Sequence, residues 1–206
     1  MLLNILALSS FLIVLLLLRQ LVNILPSLFA CLIRWKESVN METSVKLSRD
    51  RNYLALAMVI PFCLVTFRYR LYAPDFLKGF GEDALLWLYI AIFAAYVLLR
   101  VLMIWLIRPD KMPKKTYVAA NMSAFSFFII YTLLLLATGA VMGLFDLPDE
   151  TVRVAMLWIS VLIYTVFLLR KTQIFSSSCS VFIGFLYLCA LELIPTGILV
   201  VSGVVL

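Results

Sequence analysis

The chain contains no histidine. That removes the commonest general base, the commonest metal ligand and the one side chain whose charge changes near neutral pH. Charge is scarce as well. Asp, Glu, Lys and Arg together make 14% of the residues, against about 25% in soluble domains. Hydrophobic residues reach 65%, and a chain with so few polar side chains cannot cover an exterior that faces water. The mean hydropathy of +1.12 agrees. The composition is that of an integral membrane protein.

The four cysteines, Cys31, Cys63, Cys179 and Cys189, show no CxxC spacing and lie in or beside apolar runs. Neither a disulfide framework nor a zinc site fits that arrangement, so they read as free packing residues. No P-loop, dinucleotide fingerprint, HExxH or GxSxG occurs, and a Ser-His-Asp triad is impossible without histidine. The expectation is a chain with no cofactor, no metal and no catalytic residues, non-enzymatic in preference to enzymatic.

What is present is a series of apolar runs. A bilayer core about 30 Å thick needs roughly 20 apolar residues in a helix. Six runs qualify: Leu2–Leu18, Tyr53–Phe67, Ala84–Ile107, Val118–Phe145, Val154–Leu169 and Val181–Leu206. The second is short and interrupted by Pro61. The first resembles a signal-peptide core, but its positive charges follow the run and no small-residue cleavage site does, so it reads as a retained anchor. Residues 20–36 are different, with Gln20, Asn23, Ser27 and Arg34 opposite Leu21, Ile24, Leu25, Leu28 and Leu32. That is the pattern of a helix lying in the interface, with Asn23, Ser27 and Arg34 in water and Ile24, Leu28 and Leu32 among acyl chains. A re-entrant segment broken at Pro26 is the competing reading. The fold expected is an all-α integral membrane protein, one transmembrane domain over residues 1–206, with about six spans and one amphipathic interfacial helix.

Basic residues decide orientation. On the side of the first, third and fifth connections there are twelve: Arg19, Arg34, Lys36, Lys46, Arg49, Arg51, Arg108, Lys111, Lys114, Lys115, Arg170 and Lys171. The other side has four, Arg68, Arg70, Lys78 and Arg153. Both termini are therefore expected to face outward. The net charge of +6 is then a topology signal and an affinity for anionic head groups, not a nucleic-acid footprint.

Two ionisable groups interrupt the spans. Arg100 lies about 10 Å from the cytoplasmic end of its run, within snorkelling reach. Glu192 lies roughly 16 Å into the last run, where a charge costs on the order of 3 kcal/mol or more. It must be protonated, paired or beside a wet cavity, and Arg100 is the expected partner. Either the two form a structural interhelical pair or Glu192 is a coupling site. Possible company comes from Ser176–Ser180, Thr196, Asn121, Ser123 and Ser126, and Pro195 frees the carbonyl of Leu191. Helix caps, packing and a tolerated kink explain these as readily as a polar pathway does.

On the outer side Arg68, Arg70 and Asp75 accompany Tyr69, Tyr72 and Phe76. Guanidinium forks suit lipid phosphates, although anchoring of a short span explains the same residues. Gly139-xxx-Gly143 offers a close helix contact, with this chain or another copy. No three-plus-three inverted repeat is evident, since Pro61 and Pro195 fall in the second and sixth runs.

The stretch Gln173-Ile174-Phe175-Ser176-Ser177-Ser178-Cys179-Ser180-Val181-Phe182, continued by Phe185 to Pro195, carries a resemblance. It is similar to the C-terminal signature of an uncharacterised family of bacterial inner-membrane proteins, a domain of unknown function. The likeness extends more weakly over most of the chain. It implies a polytopic bacterial inner-membrane protein and no activity.

Three functions follow as candidates. The first is a structural or assembly subunit that binds another membrane protein or itself. The second is a small proton- or ion-coupled transporter or channel using Glu192, and the third a lipid-binding or lipid-modifying protein using Arg68 and Arg70. The first needs the fewest assumptions.

Overall fold

The computed structural model describes residues 2–72, 81–107, 113–177 and 181–205, with backbone alone at 2–5, 82–83, 114, 181, 183 and 202–205. Every regular element among the described residues is helical. Five helices are long and apolar enough to cross a membrane, or six spans if a bent pair near the start is taken as one. This is an all-α membrane bundle. Its outward faces carry exposed Leu98, Trp105, Trp158 and Leu162, a surface that only lipid or another apolar protein face covers.

The bent pair is α1 (Leu2–Leu16) and α2 (Leu18–Ile33), which meet at 70° across Leu17. The apolar stripe of α2 is real: Leu21, Ile24, Leu28 and Cys31 recur at helical spacing and are all buried. Its surroundings differ from expectation. Those residues join one core with Leu54 and Met58, Phe127 and Ile130, and Ile163 and Phe167. The helix expected over 20–36 to lay Ile24 and Leu28 among acyl chains lays them instead against protein. The periodicity of a stripe reports that it is covered, not by what. Asn23 and Arg34 are exposed, while Ser27 is half-buried. Pro26 lies inside α2 and does not end it; the helix stops at Arg34, whose backbone is extended.

Next come α3 (Trp35–Thr43), α4 (Val45–Ala57) and α5 (Val59–Arg68). Ser44 caps α4 by accepting from the Leu47 amide at 3.5 Å. Together α4 and α5 form a spanning unit over Val45–Arg68, eight residues longer at its start than the run Tyr53–Phe67. The charges at positions 49–51 looked like a boundary. Arg51, however, is 1% exposed and forms an ion pair with Glu42 Oε2 at 2.9 Å, and it donates hydrogen bonds to Ser48 and Asn52. A paired, enclosed guanidinium lets the helix continue.

The three long helices are α6 (Glu82–Leu106), α7 (Lys114–Leu144) and α8 (Asp149–Ser176). α7 is the centre, packed by α2, α3, α4, α5 and α8, whereas α6 lies at the edge against α5 and the C-terminal segment. α8 outruns its apolar stretch Val154–Leu169 at both ends. Asp149 and Glu150 begin it, where carboxylates complement the helix dipole. At the other end Arg170 Nε donates to the Leu32 carbonyl at 2.8 Å, and Lys171 is wholly buried.

The last segment is α9 (Val181–Leu188), a π turn over Cys189–Leu193, and α10 (Ile194–Val205). Pro195 has no amide hydrogen and crowds the turn before it. The backbone widens there, and the Ile194 amide donates five residues back, to Cys189. Glu192 sits in the widened turn.

Candidate functional site

Glu192 is 1% exposed, and two cations converge on its Oε1. Arg100 Nη2 of α6 approaches to 2.6 Å, and Lys171 Nζ of α8 bonds the same oxygen. Lys171 is the more deeply enclosed, with no exposed side-chain surface, while the Arg100 side chain is 16% exposed. A second bond from Lys171 Nζ goes to Asn121 Oδ1 of α7 at 3.1 Å. Tyr164 Oη donates to the Glu192 carbonyl at 3.2 Å, and Tyr96 and Thr196 hydroxyls meet at 3.3 Å one turn beyond. The cluster thus binds α6, α7, α8 and the π turn together.

Aromatic rings wall it in. Phe167 lies 5.7 Å from the Arg100 guanidinium and 5.8 Å from Lys171 Nζ, and Phe175 lies 5.6 Å from the same ammonium. Ring faces attract cations, and here they also exclude water, which strengthens every charge interaction inside. Two cations against one carboxylate leave a formal excess of one positive charge.

Lys171 was not among the expected site residues. Beside Arg170 it reads as part of a basic helix end. The signal was periodicity: Ile163, Phe167, Lys171 and Ile174 fall on one face of α8, and every other member is apolar and buried. A lysine in phase with a core stripe is a buried lysine. Arg51 carries a similar lesson, since Leu54, Ala55 and Met58 follow it on the buried face of α4 and its junction.

The other expected groups lie apart from the cluster. Arg68 pairs with Asp149 at 3.3 Å, with both side chains more than half exposed. Arg70 is exposed, with φ of 46°, and Asp75 lies outside the described residues. Gly139 faces its own chain: a Cβ there would meet Met156 Cε and Tyr69 Oη, each at 3.3 Å. Nothing lies within 4 Å of the equivalent point on Gly143. The close contact at Gly139 is therefore between α7, α8 and the end of α5, which removes it from the interface between copies that the GxxxG spacing allowed. Ser123 and Ser126 bond within the fold, to Ala120 O at 2.8 Å and to Met41 Sδ at 3.5 Å. Ser177 donates to Ile174 O at 2.7 Å, while Ser178, Cys179 and Ser180 lie outside the described residues. Cys31, Cys63 and Cys189 are free thiols, and no grouping of metal-ligating side chains occurs among the described residues.

Residues 1–201 match a family described as a domain of unknown function (DUF4271). The chain belongs to that family. All four cluster residues, Arg100, Asn121, Lys171 and Glu192, fall inside the matched stretch of this DUF4271 member. The chain matches none of the curated proteins and none of the solved structures. Family membership supplies no chemistry, so a function has to be argued from the cluster itself.

Proposed function

We propose that this DUF4271 protein is a structural or assembly subunit of a membrane complex, seated in a bacterial inner membrane with both termini outward. The observation that carries the reading is the closure of Glu192. A coupling carboxylate has to exchange protons or ions with water, whereas this one is 1% exposed and receives both cations on one oxygen. Such a group serves best as a fastener between helices, and the exposed apolar faces of α6 and α8 leave surface for a neighbour.

The π turn favours a second reading, a proton- or ion-coupled transporter, because wide turns of this kind are frequent at functional positions. Headgroup contact through Arg68 and Arg70 fits either, since both are exposed.

Mild-detergent extraction of the tagged full chain from its native membrane tests the proposal. A second protein, or further copies of this chain, should accompany it at fixed stoichiometry. Proteoliposomes carrying wild type and Glu192→Gln should show the same proton leak. A solitary monomer whose pH-gradient-driven flux disappears in Glu192→Gln would overturn the assembly reading in favour of transport.

A further inference from the structure

We propose that the Arg100–Lys171–Asn121 side of the cluster is a binding site for one phosphate group, that of an anionic phospholipid or free phosphate. The inference draws on the same cluster but does not rest on the assembly reading, which copurification and proteoliposome flux decide.

Charge is the first support. Two cations enclosed with one carboxylate leave one positive charge uncompensated, an arrangement far more costly inside a membrane protein than a balanced pair. The second support is the inventory of donors. Arg100 Nε and Asn121 Nδ2 are buried and have no hydrogen-bond partner among the described residues. Lysine only donates, so the bond to Lys171 fixes Oδ1 as the amide's acceptor and leaves Nδ2 as a donor. Both unmet groups are therefore donors, and they flank the excess positive charge. Unmet buried donors cost free energy until an acceptor fills them. An anion with several oxygens answers the charge and the donors at once, and a guanidinium fork suits phosphate in particular.

Depth is the third support. α6, α7 and α8 have 25, 31 and 28 residues, so they run about 37, 46 and 42 Å. Centred on a hydrocarbon core about 30 Å thick, they overhang it by about 4 to 8 Å at each end. Arg100, Asn121 and Lys171 all lie near the same end of the bundle, about 8 to 11 Å inward from Leu106, Lys114 and Ser176. By that count the backbone positions of these three residues lie about 1 to 6 Å below the hydrocarbon boundary, on the headgroup side of Glu192, which is deeper in its own segment. Arg100 belongs to the edge helix and retains 16% exposure, which gives a headgroup its approach.

The test uses the full chain in maltoside micelles, which contain no phosphate. Phosphatidylglycerol is titrated in one arm and inorganic phosphate in the other, with thermal stability as the readout. Wild type should show a saturable rise in Tm with phosphatidylglycerol. If inorganic phosphate alone reaches the same plateau, the free ion is the ligand; if it does not, the lipid is. Asn121→Asp places a carboxylate where the donor was and balances the charge from within. It should melt higher than wild type without ligand, and its half-saturation should rise at least roughly tenfold. Arg100→Gln provides a second variant, with the same loss of response. Lys36→Gln/Lys46→Gln, which removes exposed charges at the same end, should respond as wild type does. No saturable response to either probe in wild type would overturn the site, as would unchanged half-saturation in both cluster variants.

Discussion

Replacing Glu192 should damage the protein more than replacing either of its cations. Glu192→Leu leaves Lys171, which has no exposed side-chain surface, beside Arg100 with no carboxylate between them. Stranding a buried charge typically costs about 3–5 kcal/mol, and here two like charges are left facing each other. Arg100→Leu acts differently. It leaves Lys171 and Glu192 as a balanced pair with the Asn121 bond intact, so the loss should be about 1–2 kcal/mol, that of a charged hydrogen bond and some ring contact. Lys171→Leu likewise leaves a balanced Arg100–Glu192 pair but orphans Asn121 Oδ1. The decisive variant is Lys171→Leu/Glu192→Leu, in which both deepest charges are gone. Replacing a buried pair with apolar residues is often close to neutral. The double variant should therefore recover about 2–4 kcal/mol of the Glu192→Leu loss. Melting temperatures of the purified variants, at one scan rate in one detergent, give the order without requiring reversibility. Wild type should stand above Arg100→Leu, with Glu192→Leu lowest and the double variant between them. If the two single losses add in the double variant, Lys171 and Glu192 do not hold each other and the account of the cluster is wrong.

Leu28→Ala tests whether α2 faces protein. With Leu28 wholly buried in the core it should lose about 2–5 kcal/mol, whereas a lipid-facing leucine would lose little; the melting temperature decides. Gly139→Leu should cost about 1–3 kcal/mol because Met156 and Tyr69 must move, and Gly143→Ala should be neutral or gain up to ~1 kcal/mol of helix propensity. For orientation, single cysteines at positions 114 and 149 in a background without the native cysteines should label from opposite faces. An impermeant thiol reagent added outside should reach 149 and spare 114; the reverse pattern would invert the bundle. Arg51→Leu should destabilise by about 1–3 kcal/mol, since it strands Glu42, and Glu42→Gln should be milder, as an amide can still accept from Arg51.

The long helices were legible because apolar length is a direct consequence of bilayer thickness: α8 contains the run that announced it, and α6 and α7 contain all but the last residue of theirs. Helix ends were less legible wherever charge marked them. Arg51 and Lys171 looked like interfacial residues because hydropathy scores a side chain by type, while burial depends on whether a partner is available. Glu42 and Glu192, distant in sequence by 9 and 21 residues, supply those partners. Arg100 and Glu192 were singled out for the opposite reason. Each stood alone in an apolar run, and their depths, counted from the run ends, differed by no more than an arginine can bridge. The π turn left only Pro195 as its mark, and a proline near a helix start more often signals a kink than a change of helical register.

The two enclosed cations also bear on the orientation we propose. A lysine or arginine enclosed in the bundle is held there by its partners and is a weaker report of which side of the membrane its helix end occupies than an exposed one. Arg51 and Lys171 should therefore be struck from the twelve basic residues on one side, leaving ten against four. The bias survives with margin. Its composition changes, however: Arg19, Arg34, Lys36, Lys46, Arg49 and Lys115 are exposed and carry it among the described residues. Four of these, Arg34, Lys36, Lys46 and Arg49, flank or lie in the short α3–α4 stretch. Removing those four charges should loosen the orientation of the first two spans. Substituting Arg51 and Lys171 instead would change stability and leave labelling at 114 and 149 as it was.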